Sequence, residues 1–220
     1  MRGCRVIEIA LLLPVFASTA VADDYKVYVD RCQSIKAPKA KIERCLALME
    51  NGKLSKAIFP GIYSEIAFAW SELDDFDRAA EYTRAQIRIT LENMKAEFSS
   101  GKLSAIGRQV WPRQMSHSYN RLGQYLSLAR LKESDGSSEK ALNYAKAELS
   151  SYNAAISYDR ENHAAYSARA EVQSLLCNDF QATMDMEAAL RIARARDDDR
   201  AYRENKSKVL PRCVPGWRSR

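Results

Sequence analysis

Apolar residues recur every three to four positions along most of the chain, broken by short polar stretches, which is the signature of amphipathic helices. Tyr25, Val29 and Cys32 share one face of a first short helix over 23–34. Pro38 suits a first helical turn, and the helix it opens carries Ile42, Cys45 and Leu48 or Met49 and stops at Asn51-Gly52. A helix over 60–73 follows, with Ile62, Tyr63, Ile66, Ala67 and Trp70 on its apolar side. Asp74-Asp75 breaks it and offers a cap to the next, which carries Phe76, Ala79, Ala80, Ile87, Leu91 and Met94. Residues 101–112 are less regular, and Trp111-Pro112 reads as a helix boundary because the residue before proline avoids the α region. Helices over 113–132, 139–158, 163–176 and 179–196 complete the body. A last helix over 199–209 begins at Asp197-Asp198-Asp199, and Pro211 ends it.

The long-helix, short-break rhythm is self-similar. Tyr166-Ser167-Ala168-Arg169-Ala170 continues through Leu175-Leu176-Cys177-Asn178-Asp179-Phe180 to Ala182, Asp185 and Ala188-Ala189-Leu190. Tyr63, Ile66-Ala67 and Trp70 precede Leu73-Asp74-Asp75-Phe76 with similar spacing, and Tyr119, Leu122-Gly123 and Ala141-Leu142 form a third copy with extra residues in its turn. This order resembles the tetratricopeptide repeat, a helix–turn–helix unit with small residues where its paired helices touch. Asp74 and Cys177 stand where the repeat usually has a turn glycine, and the proline between repeats is absent. The resemblance implies an all-α, right-handed superhelix of antiparallel helix pairs. About three repeats (53–198) would lie between an N-terminal hairpin (23–52) and a C-terminal capping helix with a basic tail (199–220).

The first 22 residues read as an export signal. Arg2 and Arg5 precede an apolar run from Ile9 to Phe16, and Ala20-Val21-Ala22 places small residues at a cleavage site after Ala22. The run is far short of the ~20 residues a membrane-spanning helix needs. Export to a periplasm changes how the cysteines read. Cys4 leaves with the signal, and Cys32, Cys45, Cys177 and Cys213 suggest two disulfides, for which four cysteines allow three pairings. The wide spacings lack the close pairs of a zinc site, so no metal is expected. Two antiparallel helices joined by a turn would bring Cys32 to Cys45. On the repeat architecture Cys177 sits at the turn of the last pair. A returning helix with an extended 210–213 run reaches it, so Cys177–Cys213 would pin the C-terminal segment as a cap.

Composition adds little beyond this. Eight glycines and six prolines are too few for a turn-rich β sandwich, which supports the helical reading. Residues 200–220 carry the entire net charge of +6, so the repeat body is neutral and makes a poor nucleic-acid surface. The tail is expected to be a solvated terminus, with Trp217 its one large apolar residue, better explained by packing on the last repeat than by an external contact.

No catalytic constellation is legible. His117 and His163 lie at helix starts without motif partners, and there is no phosphate loop, nucleophile elbow or HExxH motif. Neither an enzyme activity nor a cofactor is expected. The resemblance instead implies a concave face, lined by the first helix of each pair, that holds a protein or peptide. Its positions fall on Ser64, Phe68 and Ser71, then Asn120, Gln124 and Ser127, then Ser167, Glu171 and Ser174. The cationic set that grips a terminal carboxylate in some repeat proteins is not reproduced, since Asn120 alone fits. The expected function is an exported scaffold binding a peptide or partner protein through this face. The alternative is an accessory subunit of a cell-envelope enzyme.

Overall fold

The computed structural model of the chain describes residues 26–50, 52, 54–101 and 105–217. The export segment 1–22 and its cleavage point lie outside the described residues. Among the described residues there is no strand. Residues 26–28 lead into a π turn at Val29–Gln33. The α-helices are α1 (Pro38–Glu50), α2 (Phe59–Glu72), α3 (Phe76–Ser99), α4 (Ala105–Leu131), α5 (Glu139–Tyr158), α6 (His163–Leu175), α7 (Asp179–Ala195) and α8 (Asp199–Lys206). A short 3-10 turn at Lys56–Ile58 leads into α2. The architecture is all-α, built from consecutive antiparallel helix pairs.

Two compact units make up the chain, one ending at Trp111 and the other starting at Pro112. In the first, Tyr28, Cys32, Ile42, Cys45 and Leu48 pack against Ile58, Ile62, Ile66 and Ala69. The Cys32–Cys45 disulfide, with Cα atoms 4.9 Å apart, staples the π turn to α1. Lys41 Nζ donates to Glu65 Oε2 at 2.7 Å, tying α1 to α2. Tyr63 of α2 lies 6.2 Å from Tyr82 of α3, and Arg78 stacks 4.3 Å over Trp70, the second contact sitting at the turn of the pair.

Helix α4 departs from the expected boundary at Trp111-Pro112. It runs unbroken from Ala105 with Pro112 inside it. A proline there removes one backbone hydrogen bond and crowds the carbonyl four residues back. Helices persist through such a site where flanking turns are well packed, and Gly107 and Met115 are both buried. The division between the two units falls at this residue. The last helix is also shorter than expected, ending at Lys206 rather than 209. Residues 208–214 are extended instead, for a reason that belongs to the site described below.

Three turns share one geometry. Asp74, Cys177 and Asp197 adopt φ of 59°, 63° and 53°, the left-handed region that normally favours glycine. In each, the next residue's N–H reaches five residues back: Asp75 to Trp70 O, Asn178 to Gln173 O and Asp198 to Ala193 O, at 3.0, 2.8 and 3.0 Å. These are Schellman closures, which satisfy the orphan carbonyls at a helix end. The two positions where the sequence replaces the repeat's turn glycine thus keep the glycine-like backbone. Asp75 and Asp198 then cap the following helices, accepting from Arg78 N and Ala201 N.

In the second unit, α4 and α5 approach closely at Gly123. A Cβ there would fall 2.6 Å from Tyr152 Cζ, so only glycine lets the aromatic ring lie against the helix backbone. Ala155, Ile156 and Ala165 form one small core with Tyr119 and Tyr166. Tyr152, Ala141, Leu142, Ala145, Val172 and Trp217 form another.

Candidate functional site

Unit two carries two buried ion pairs of one design. Each joins an arginine near the middle or end of a first helix to an acid on the second. Arg130 Nε donates to Glu148 Oε1 at 2.6 Å, and Arg169 donates to both Asp185 oxygens at 2.8 and 2.6 Å. Asn153 and Gln181 complete the second pair, at 2.7 Å to Arg169 and 3.2 Å to Asp185. Glu148 and Asp185 are almost fully buried, so their charges depend on these partners. Burial pushes the Glu148 carboxyl above its ordinary range, against the opposing pull of Arg130 and the Ser127 hydroxyl. Burial likewise raises the Tyr152 phenol. Glu171 acts on both groups, which places Glu148, Tyr152 and Glu171 in one electrostatic neighbourhood.

The chain's own C-terminal segment is seated there. Lys208 Nζ donates to Ser167 Oγ at 2.9 Å and also pairs with the Glu171 carboxylate. Ser174 Oγ donates to the Pro211 carbonyl at 2.6 Å. Val214 N–H donates to the Leu175 carbonyl at 3.0 Å, and Cys213 is bonded to Cys177 with Cα atoms 4.7 Å apart. Trp217 ends the run, buried against Ala141, Leu142, Ala145, Tyr152 and Val172, with Nε1 donating to the Ser137 carbonyl at 3.3 Å. The tail therefore runs alongside α6 in the same direction. Seven helical residues from Ser167 to Ser174 rise about 10 Å. Three extended residues from Lys208 to Pro211 cover about the same distance. This match is why α8 ends early: residues 208–210 are needed as extended chain, and Pro211 biases its predecessor away from the α region.

Magnitudes show how this segment is held. Burying the Trp217 ring contributes ~4–6 kcal/mol. The four tail hydrogen bonds add about 4 kcal/mol together. Fixing about ten residues of backbone costs ~10–20 kcal/mol. The contacts do not exceed this cost, so the Cys177–Cys213 bridge matters, because it restricts the segment before docking. The expectation of a solvated terminus fails for residues 208–217: the tail is docked, and Trp217 packs chiefly on α5 of the preceding pair, with Val172 its contact in the last repeat, so the expected packing on the last repeat alone is corrected.

The nine positions expected to line a concave face fall as follows. Ser64, Phe68 and Ser71 lie half-buried on α2 in the first unit, with Ser71 Oγ donating to its own helix at Phe68 O, 2.7 Å. On α4, Gln124 is exposed, Asn120 is half-buried, and Ser127 accepts from Arg130 Nη2 at 3.3 Å. Asn120 Oδ1 is buried without a hydrogen-bond partner. On α6, Ser167, Glu171 and Ser174 are brought together under the tail, and both serines are buried beneath it. Sequence reasoning reached these three positions and the pinning of the C-terminal segment by Cys177–Cys213, but not that the segment seats on them. Serines seven apart with a carboxylate between them, and a lysine three residues before a proline, are the signals that the two strips fit.

His163 lies 3.9 Å from Asp198, an ion pair only when protonated, and His117 is exposed. Among the described residues no group of His, Cys, Asp and Glu is placed to hold a metal ion. Among them too, no helix is long and apolar enough to cross a membrane.

No protein-family model matches the chain, and no curated protein is similar to it in sequence. Among solved structures, it is similar to the TPR2AB domain of yeast Sti1 in a complex with pHSP90. That similarity is remote: 15% identity over 85% of this chain and 83% of the other, at a TM-score of 0.23.

Proposed function

We propose that the chain is an exported helical-repeat scaffold of the tetratricopeptide type that binds a peptide or partner protein through the first-helix face of its pairs, without a cofactor. One observation carries this reading. The α6 face already holds an extended polypeptide, through a serine on a backbone carbonyl, a carboxylate and a serine on a lysine, and a main-chain hydrogen bond. Such contacts recognise backbone direction and one basic side chain. Gln124, Asn120 and Ser127 on α4 extend the same kind of polar surface within this unit. The two disulfides fit an oxidising compartment, as export to a periplasm would provide.

Affinity capture from periplasmic extract tests the reading, comparing wild type with the combined Asn120→Ala, Gln124→Ala, Ser127→Ala variant. A partner recovered by wild type and lost by the variant supports the α4 face. Equal recovery refutes it and favours an accessory subunit that docks by another surface. Mass spectrometry of the exported protein tests the leader, with a mature chain beginning at Asp23 expected and an intact Met1 excluding cleavage.

A further inference from the structure

We propose that residues 208–217 are a redox-secured occupant of the α6 face, and that opening Cys177–Cys213 frees this face for a lysine-bearing extended segment of a partner. The proposal rests on the scaffold reading and deepens it by naming the ligand chemistry and its control.

Three observations converge. First, the strip beneath residues 208–211 is polar: Ser167, Glu171 and Ser174 engage Lys208 and the Pro211 carbonyl. Apolar burial along this stretch is incomplete: Val209 is exposed, Leu210, Pro211 and Val214 are half-buried, and full burial is reached only at Trp217. Second, the strip is selective. Glu171 faces the Lys208 ammonium, which an acidic side chain in that place would not satisfy. Third, the two disulfides differ in access. Cys32 and Cys45 are both fully buried, whereas Cys213 is exposed. Thiol–disulfide exchange needs an attacking thiolate to reach a sulfur, so the C-terminal bridge, with one exposed cysteine, is the more accessible of the two to a dithiol reductant. A reductant thiolate attacks Cys213 Sγ and expels the Cys177 thiolate, which takes up a proton. The reductant's second thiol then resolves the mixed disulfide. The products are two cysteine thiols and the oxidised reductant.

Reduction leaves the tail attached through α8 and anchored by Trp217, so it undocks as a population rather than in one event. A competing segment of the same chemistry takes its place. The assay uses full-length protein and a labelled peptide of residues 206–217 with Cys213 replaced by serine. Oxidised wild type, wild type in graded dithiothreitol, and Cys213→Ser are compared for peptide binding and for hydrogen exchange at the Val214 amide. At least tenfold faster Val214 exchange and at least tenfold tighter peptide binding are expected on reduction and in Cys213→Ser, with binding lost when the peptide carries Lys208→Glu. Peptide mapping should show Cys32–Cys45 intact at the dithiothreitol concentration that opens Cys177–Cys213. Unchanged Val214 exchange would overturn the latch. Faster exchange without peptide binding, or equal binding to oxidised wild type, would overturn the docking site. Val214 exchange needs no partner, so failure here is distinguishable from failure of the scaffold reading, which partner capture alone decides.

Discussion

Replacing Gly123 by alanine tests how the second unit is assembled. In a free helix this change stabilises by about 1 kcal/mol, because alanine loses less backbone entropy. Here the new methyl would stand 2.6 Å from Tyr152 Cζ, well inside van der Waals contact. Overpacking of this kind costs ~1–3 kcal/mol. Tyr152 cannot yield freely, since its ring also packs with Val172 and Trp217. The expected result is a net loss of about 1 kcal/mol or more, read as a lower urea midpoint with unchanged slope. Because Tyr152 supports Trp217, the same substitution should also speed hydrogen exchange at Val214. In a Tyr152→Leu background, itself destabilised, Gly123→Ala should cost little further, giving a coupling of about 1 kcal/mol. A Gly123→Ala protein stabilised by its full helical gain would show that α4 and α5 do not meet this closely, and would refute the argument.

Removing one partner of the doubly bonded ion pair, by Arg169→Ala, should cost about 3–5 kcal/mol, while Arg169→Met with Asp185→Leu should cost far less, because the penalty is the stranded carboxylate. Thermal unfolding of the two proteins checks this. Glu148→Gln should change how stability depends on pH. The folded carboxyl sits above its unfolded value, so its contribution is fully present below the unfolded range and is lost as pH rises through the folded one. Wild type should therefore weaken relative to Glu148→Gln between those limits, as urea titrations at stepped pH would show. Asp74→Gly should be neutral or stabilise by up to about 1 kcal/mol, as φ of 59° favours glycine, whereas the same change at Asp75 should destabilise by ~0.5 kcal/mol or less through its cap. Comparing the two midpoints tests the turn assignment.

Much of the helical layout is legible in sequence because its causes are local. Residues 139–158 alternate with the helical period between Ser138, a cap, and Asp159, a polar break, and α5 spans that range. The close approach at Gly123 was signalled by the Leu122-Gly123 pair, though nothing local named Tyr152 as its neighbour. Pro112 misled because a proline's penalty marks a probable helix end, whereas here the helix continues through it.

For the candidate site the division is sharper. Ser167, Glu171 and Ser174 follow from helical spacing once the repeat is recognised, and the reach of the final segment makes the Cys177–Cys213 pairing intelligible. Their occupant does not follow. A serine hydroxyl facing solvent and one donating to Pro211 have the same sequence environment. By itself the sequence determined helix identity, pairing order and the residues at each turn, since these depend on neighbours a few positions away. Only the tertiary structure decided that an excess of positive charge at the chain's end would become an ordered strap. That outcome depends on contacts 37 and 41 residues apart in the chain, set against the chain entropy of the segment, which no local pattern records.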